Sequence, residues 1–209
     1  FRLFIFVGLV GVPIIYAERA IFPILSDFTQ SVFLIMLIGV ALIEELFKFS
    51  VVMLVVYKKE RFDAPIEAIV YVVMVGLGFA LAENVGYVLD DPPAGSTNID
   101  IAILRMFTVI PMHALCGIFM GYFVGRAQLE KDDQSDLILL GLLSAILLHA
   151  TYNYLVFEGL LNYAVILLIV AFLFSASLIS KGQLNSGIVL QNDNSDVEPL
   201  PEYFSKALD

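Results

Sequence analysis

Six stretches of this chain, at about 3–17, 31–57, 65–89, 101–126, 135–157 and 160–181, run apolar for lengths near the roughly 20 residues that cross a bilayer as a helix. In hydrocarbon a helix satisfies its own backbone, so a chain built this way is expected to fold as an all-α, polytopic membrane helix bundle. Composition agrees, with 60% hydrophobic residues and a mean hydropathy of +0.91. A soluble chain of 209 residues would need polar helix faces that these runs do not provide. The formal charge of −10 comes mostly from loops and from the segment after Lys181, and it argues against nucleic acid as a partner. The sole cysteine, Cys116, excludes an intrachain disulfide and reads as a small apolar filler.

Basic residues set the expected orientation. Lys58, Lys59 and Arg61 lie between the second and third runs, Arg126 and Lys131 between the fourth and fifth, and Lys181 after the sixth, while the alternate loops hold only Arg19. Both ends are therefore expected on the cytoplasmic side of the cell membrane. The outer loop from Asp90 to Thr97 consists of turn formers and carries no positive charge. Residues 1–181 read as a single transmembrane domain, and 182–209 as a flexible acidic cytoplasmic tail. The first run is short and the chain begins at Phe1 without a methionine, so a clipped or processed N-terminus is expected. No signal-peptide cleavage pattern follows Arg2 and the apolar run to Ala17.

The runs are not purely apolar. Both histidines of the chain, His113 and His149, and three glutamates, Glu44, Glu45 and Glu83, fall deep inside them. From the rise of about 1.5 Å per residue, all five come to roughly 10–20 Å depth on the outer side of the midplane. Glutamate and histidine are too short to snorkel from there, so they must face one another or water. Lys48 follows Glu44 at i+4, Asn153 follows His149 at i+4, and Asn84 adjoins Glu83. Gly117, Gly121 and Gly125 form a small-residue row that lets backbones approach. A polar site between helices two to five is expected, with helix six as scaffold.

Each part alone has a plain structural reading: Glu44 and Lys48 as an ion pair, either histidine as a bond to a facing carbonyl, the asparagines as helix glue. Three carboxylates and two imidazoles at one depth exceed what packing needs. They are the parts of water-activated hydrolysis, in which a desolvated glutamate takes a proton from water and N–H donors meet the developing oxyanion. A proton-coupled transporter or channel is the alternative, and a catalytically inactive membrane scaffold a third.

Five ordered motifs carry a resemblance. Glu44-Glu45-x-x-Lys48, Arg61-Phe62-Asp63-x-Pro65, Gly78-Phe79-Ala80-x-x-Glu83-Asn84, Arg105 with Pro111-x-His113-Ala114 and Gly117, and His149-x-x-x-Asn153 together resemble the PrsW family of intramembrane proteases, over about residues 40–155. That family is similar to the type II CAAX prenyl endopeptidases and the CPBP proteins. The resemblance implies a multi-pass endopeptidase and, as substrate, a single-span membrane protein such as an anti-sigma factor, cut at a first site. It implies Glu44 as general base, ordered by Glu45 and Lys48. His149 and Asn153 stand on the oxyanion side, His113 as a water-positioning or proton-shuttling group, and Glu83, Asn84 and Arg105 beside them. Zinc is possible, with Glu83, His113 and His149 as ligands and a fourth place for water. No His-Glu-x-x-His spacing occurs, and Lys48 would repel a metal, so the balance leans to a metal-free glutamic mechanism.

Overall fold

The computed structural model describes residues 2–58, 62–90, 95–130 and 133–193, and every regular element among them is helical. Helix α1 covers Arg2–Phe28. A short helix α2, Val32–Met36, starts where the Ser31 side chain accepts from the Leu34 N–H. It passes without a break through a π-helical turn, Leu37–Ala41, into α3, Leu42–Val51, and then a second π-helical stretch, Val52–Tyr57. Pro65 opens α4, Pro65–Leu89, where its missing N–H costs nothing, and the preceding Ala64 is extended as proline requires. A capping box between Thr97 and Asp100 starts α5, Asn98–Phe107. Then follow α6, Val109–Leu129, α7, Gln134–Phe157, and α8, Leu161–Asp193. Gly159 turns the chain between α7 and α8 with a φ of 72°, a conformation an L side chain resists.

Five helical spans, α1, α4, α5 with α6, α7 and α8 as far as Gln183, are long and apolar enough to cross a membrane. The unbroken helical path from Val32 to Tyr57 makes the sixth. Large apolar side chains such as Leu9, Phe172 and Leu173 point outward, as a lipid-facing surface demands. The protein is a multi-pass membrane helix bundle.

Three boundaries differ from the sequence expectation. Helix α1 does not stop near residue 17 but runs through Glu18 and Arg19 to Phe28, so Arg19 sits within a helix and not in a loop. Its ion pair with Asp90, just beyond α4, gives the charge a partner at that level. The fourth span breaks at Thr108 into α5 and α6, because Pro111 offers no N–H to continue the ladder. Helix α8 continues past Lys181 to Asp193. Lys59, Arg61 and Lys131, the loop positions 91–94 and the tail positions 194–209 lie outside the described residues.

Helix α6 is the hub, packed on α4, α5, α7 and α8. Its glycine row meets α4 backbone to backbone. A Cβ on Gly117, Gly121 or Gly125 would come within 2.8, 2.7 and 2.7 Å of the Cα atoms of Val73, Ile69 and Pro65. At the other end of α6, the Gln128 side chain accepts from the Phe62 N–H and donates to the Tyr57 carbonyl, tying the end of the second π-helical stretch to the start of α4.

Candidate active site

Helix α3 carries Glu44, Glu45 and Lys48 on one buried turn, exposed by only 1%, 1% and 3%. π-Helical stretches flank this turn on both sides, a distortion that recurs at functional sites because it re-aims side chains. Lys48 was expected to serve one glutamate; it serves both. Its Nζ donates to Glu45 Oε1 at 2.7 Å and to Glu44 Oε2 at 3.2 Å, and its third bond goes to His113 Nδ1 at 2.9 Å.

These bonds fix the proton positions on both rings. An ammonium only donates, so His113 Nδ1 accepts, and the ring proton sits on Nε2, which donates to Glu83 Oε2 at 2.9 Å. Glu83 Oε1 in turn pairs with Arg105 Nη2 at 2.7 Å. The Arg105 Nε donates to Asn84 Oδ1 at 2.5 Å, and the guanidinium lies 3.8 Å over the Tyr87 ring. On the far side, His149 Nδ1–H donates to Glu45 Oε1 at 2.8 Å, which in the neutral ring leaves a bare lone pair on its Nε2.

Both Nε2 atoms turn toward the same carboxylate oxygen. Glu44 Oε2 lies 4.0 Å from that of His113 and 3.9 Å from that of His149, and the two rings stand 5.2 Å apart and nearly perpendicular. One water can span such gaps, giving its protons toward Glu44 and His149. Four helical spans thus bring Glu44, Glu45, Lys48, Glu83, Asn84, Arg105, His113 and His149 into one hydrogen-bonded network.

Asn153 stands apart from that network and lines a chamber of about 440 Å³ next to it, together with Glu18, Glu83, Arg105, Met112 and Tyr152. Glu44 is not on the chamber wall; it is sealed one layer deeper. Of the two expected oxyanion donors, Asn153 lines the chamber, whereas His149 presents an acceptor in this proton arrangement. Glu18 and Tyr87 were missed at the sequence level. The signal for Glu18 was present, because apolar residues continue after it from Ala20 to Leu25 and place it inside a span. Cys116 is a packing residue: its Sγ faces the Ala145 carbonyl at 3.5 Å.

Residues 1–178 match the PrsW family intramembrane metalloprotease. The chain belongs to the PrsW family. Among curated relatives, Protease PrsW of Oceanobacillus iheyensis is 35% identical over 79% of this chain and 73% of its own length. Protease PrsW of Geobacillus kaustophilus is 31% identical over 74% of this chain and 65% of its own length, and that of Bacillus subtilis 30% identical over 59% and 54%. No solved structure matches the chain.

The family description includes a metal, so the PrsW site must be tested for one. By distance alone it qualifies: one ligand atom each from Glu44, Glu45, His113 and His149 lie within 4.8 Å of one another. Glu83, expected among zinc ligands, lies outside that group and is held by Arg105 and His113 instead. The charge pattern does not suit a dication. Lys48 Nζ already bonds three of the four groups, and its ammonium would face the metal across a low-dielectric gap. His113 has no free lone pair, because Lys48 occupies Nδ1 and the proton occupies Nε2. As arranged, the donors suit an ammonium at their centre.

Proposed function

We propose that this chain is an intramembrane endopeptidase that hydrolyses a peptide bond in or near the transmembrane segment of a membrane-anchored protein, with water activated by Glu44. The observation that carries this reading is the placement of Glu44 Oε2 at 3.9 and 4.0 Å from two imidazole Nε2 atoms, too far for direct hydrogen bonds and within the reach of one bridging water. The water oxygen attacks the scissile carbonyl carbon while one of its protons passes to Glu44, and the carbonyl π electrons move onto oxygen. Asn153 donates to that oxyanion from the chamber wall. Collapse of the tetrahedral intermediate breaks the C–N bond, and the departing amine takes the proton back from Glu44.

The remaining groups prepare this step. Glu45, shared between Lys48 and His149, holds that ring with its lone pair toward the water. Lys48 supplies the positive charge that lets two glutamates share a buried turn. Glu83, braced by Arg105, fixes His113 in its tautomer.

The substrate we favour is a single-span protein of the anti-sigma-factor kind, cut toward the outer end of its span, because the chamber adjoins the end of α4 at Tyr87. The charge asymmetry of the loops supports cytoplasmic ends for residues 1–181 and for the acidic segment 182–209.

Mass spectrometry of the products from a membrane-anchored test substrate checks the reaction. The expected result is a single internal cut by the wild type and none by a folded Glu44→Gln protein; unchanged cleavage by that variant rejects Glu44 as the base. Activity that survives a strong chelator agrees with the charge pattern. Activity lost to the chelator and restored by zinc overturns the metal-free mechanism.

A further inference from the structure

Beyond the network, one half-buried acid of the chamber has no assigned work. Glu18 stands on α1, a helix that contributes nothing to the hydrogen-bonded site, yet its side chain lines the same chamber as Glu83, Arg105 and Asn153. Its Oε1 is shut off from solvent and has no hydrogen-bond partner. The other charged side chains around the chamber pair off: Arg19 with Asp90, and Arg105 with Glu83. Glu18 is what remains, a carboxyl at the wall of a cavity large enough to receive a side chain. An acid left unmatched beside apolar side chains is unfavourable, and a cation bound there recovers part of that cost.

We propose that Glu18 is the chamber's specificity residue and binds a lysine or arginine side chain of the substrate close to the scissile bond. This rests on the hydrolytic reading above and adds the chemistry of the segment being cut. The chamber wall supplies the rest of the fit. Ile15, Phe22 and Met36 are apolar and suit the aliphatic stem of a long basic side chain, whose charged head reaches the carboxylate.

The test uses the full chain in lipid nanodiscs and a series of single-span substrates that differ only in one residue near the cut, carrying Lys, Gln or Glu, with that residue scanned over the positions on either side. The wild type is expected to cleave the best-placed Lys substrate roughly tenfold faster than its Glu counterpart, with the difference in KM, as one charged hydrogen bond implies. Glu18→Gln is expected to bring the three substrates within about twofold of one another, and Glu18→Lys to reverse the order. The ratio is read within each protein, so a general loss of activity in a variant does not disturb it. If neither variant folds, the wild-type series decides alone.

A wild type that cleaves all three equally at every position overturns the assignment while leaving hydrolysis intact, and marks Glu18 as an acceptor for backbone N–H groups or as a structural acid. Variants that keep the wild-type order overturn it as well. A wild type that cuts nothing removes the hydrolytic reading, and this inference with it.

Discussion

Two regions of α4 are built to opposite rules, its seam with α6 and its outer end. Toward α6 there is no space at all: from Gly117 to Gly125 every fourth residue of α6 is a glycine whose missing side chain is filled by the backbone of Val73, Ile69 or Pro65. Toward α1 and α5, near its outer end, α4 borders a cavity, and Gly86 there has nothing nearer to its absent Cβ than an Arg19 nitrogen at 4.0 Å. The seam holds still what must be placed to a fraction of an ångström, since Glu83 and His113 meet across it. The open face leaves room for what must come and go. A membrane interior gives little hydrophobic force between helices, so close backbone packing is the available means of making a contact rigid, and Gly78 against the Phe4 backbone repeats it deeper on the α1 side.

Four substitutions put this contrast at risk. The largest effect is expected for Glu44→Gln, which leaves the seam untouched and lowers the rate of cleavage by about a hundred- to ten-thousandfold. A melting temperature that falls along with the rate would show Glu44 to be a structural residue. Next comes Gly121→Leu, whose Cβ would fall 2.7 Å from the Ile69 Cα. A backbone cannot yield as a side chain can, and a loss of about 3 kcal/mol or more is expected in reversible unfolding from detergent. Normal stability in that variant would mean that the two helices are free to slide.

Arg105→Gln should act between the extremes. It removes the brace behind Glu83 and should slow cleavage by about ten- to a hundredfold with little loss of stability, because His113 loses its fixed orientation. An equal rate would detach Arg105 from the mechanism. The smallest effect is expected for Gly86→Ala on the open face, less than about 1 kcal/mol by the same unfolding measurement, since an alanine there meets no backbone and improves helix propensity. A large loss would show the chamber to be as tightly packed as the seam.

Sequence alone carried the parts of this molecule that depend on cost. Glu44, Glu45, Glu83, His113 and His149 are expensive in hydrocarbon, and their shared depth predicted that they would meet, which they do. The edges of α4 were equally legible, at Pro65 and Leu89, because proline and a turn-forming segment leave local marks. What stayed hidden depends on pairing between distant residues. The partner of Arg19 is one such case: the apolar run after it places it inside a span, but only the fold shows that Asp90, far along the chain, supplies its counter-charge. The tautomers of the two rings were hidden too, since they follow from which ring Lys48 and Glu45 each reach in three dimensions. That one detail moves His149 from donor to acceptor.

The cluster of opposite charges on a single turn of α3 also bears on how the protein is made. Two carboxylates and an ammonium would each cost about 2.5–3.5 kcal/mol to insert separately at the centre of a span. Because Lys48 lies three and four residues from its two acids, this helix brings its own counter-ion and reaches the bilayer with much of that charge already neutralised. Glu83 waits for Arg105 and His113, which the ribosome delivers later. In chain order this self-compensated segment precedes Glu83, an acid that depends on others and is matched only as the following spans arrive.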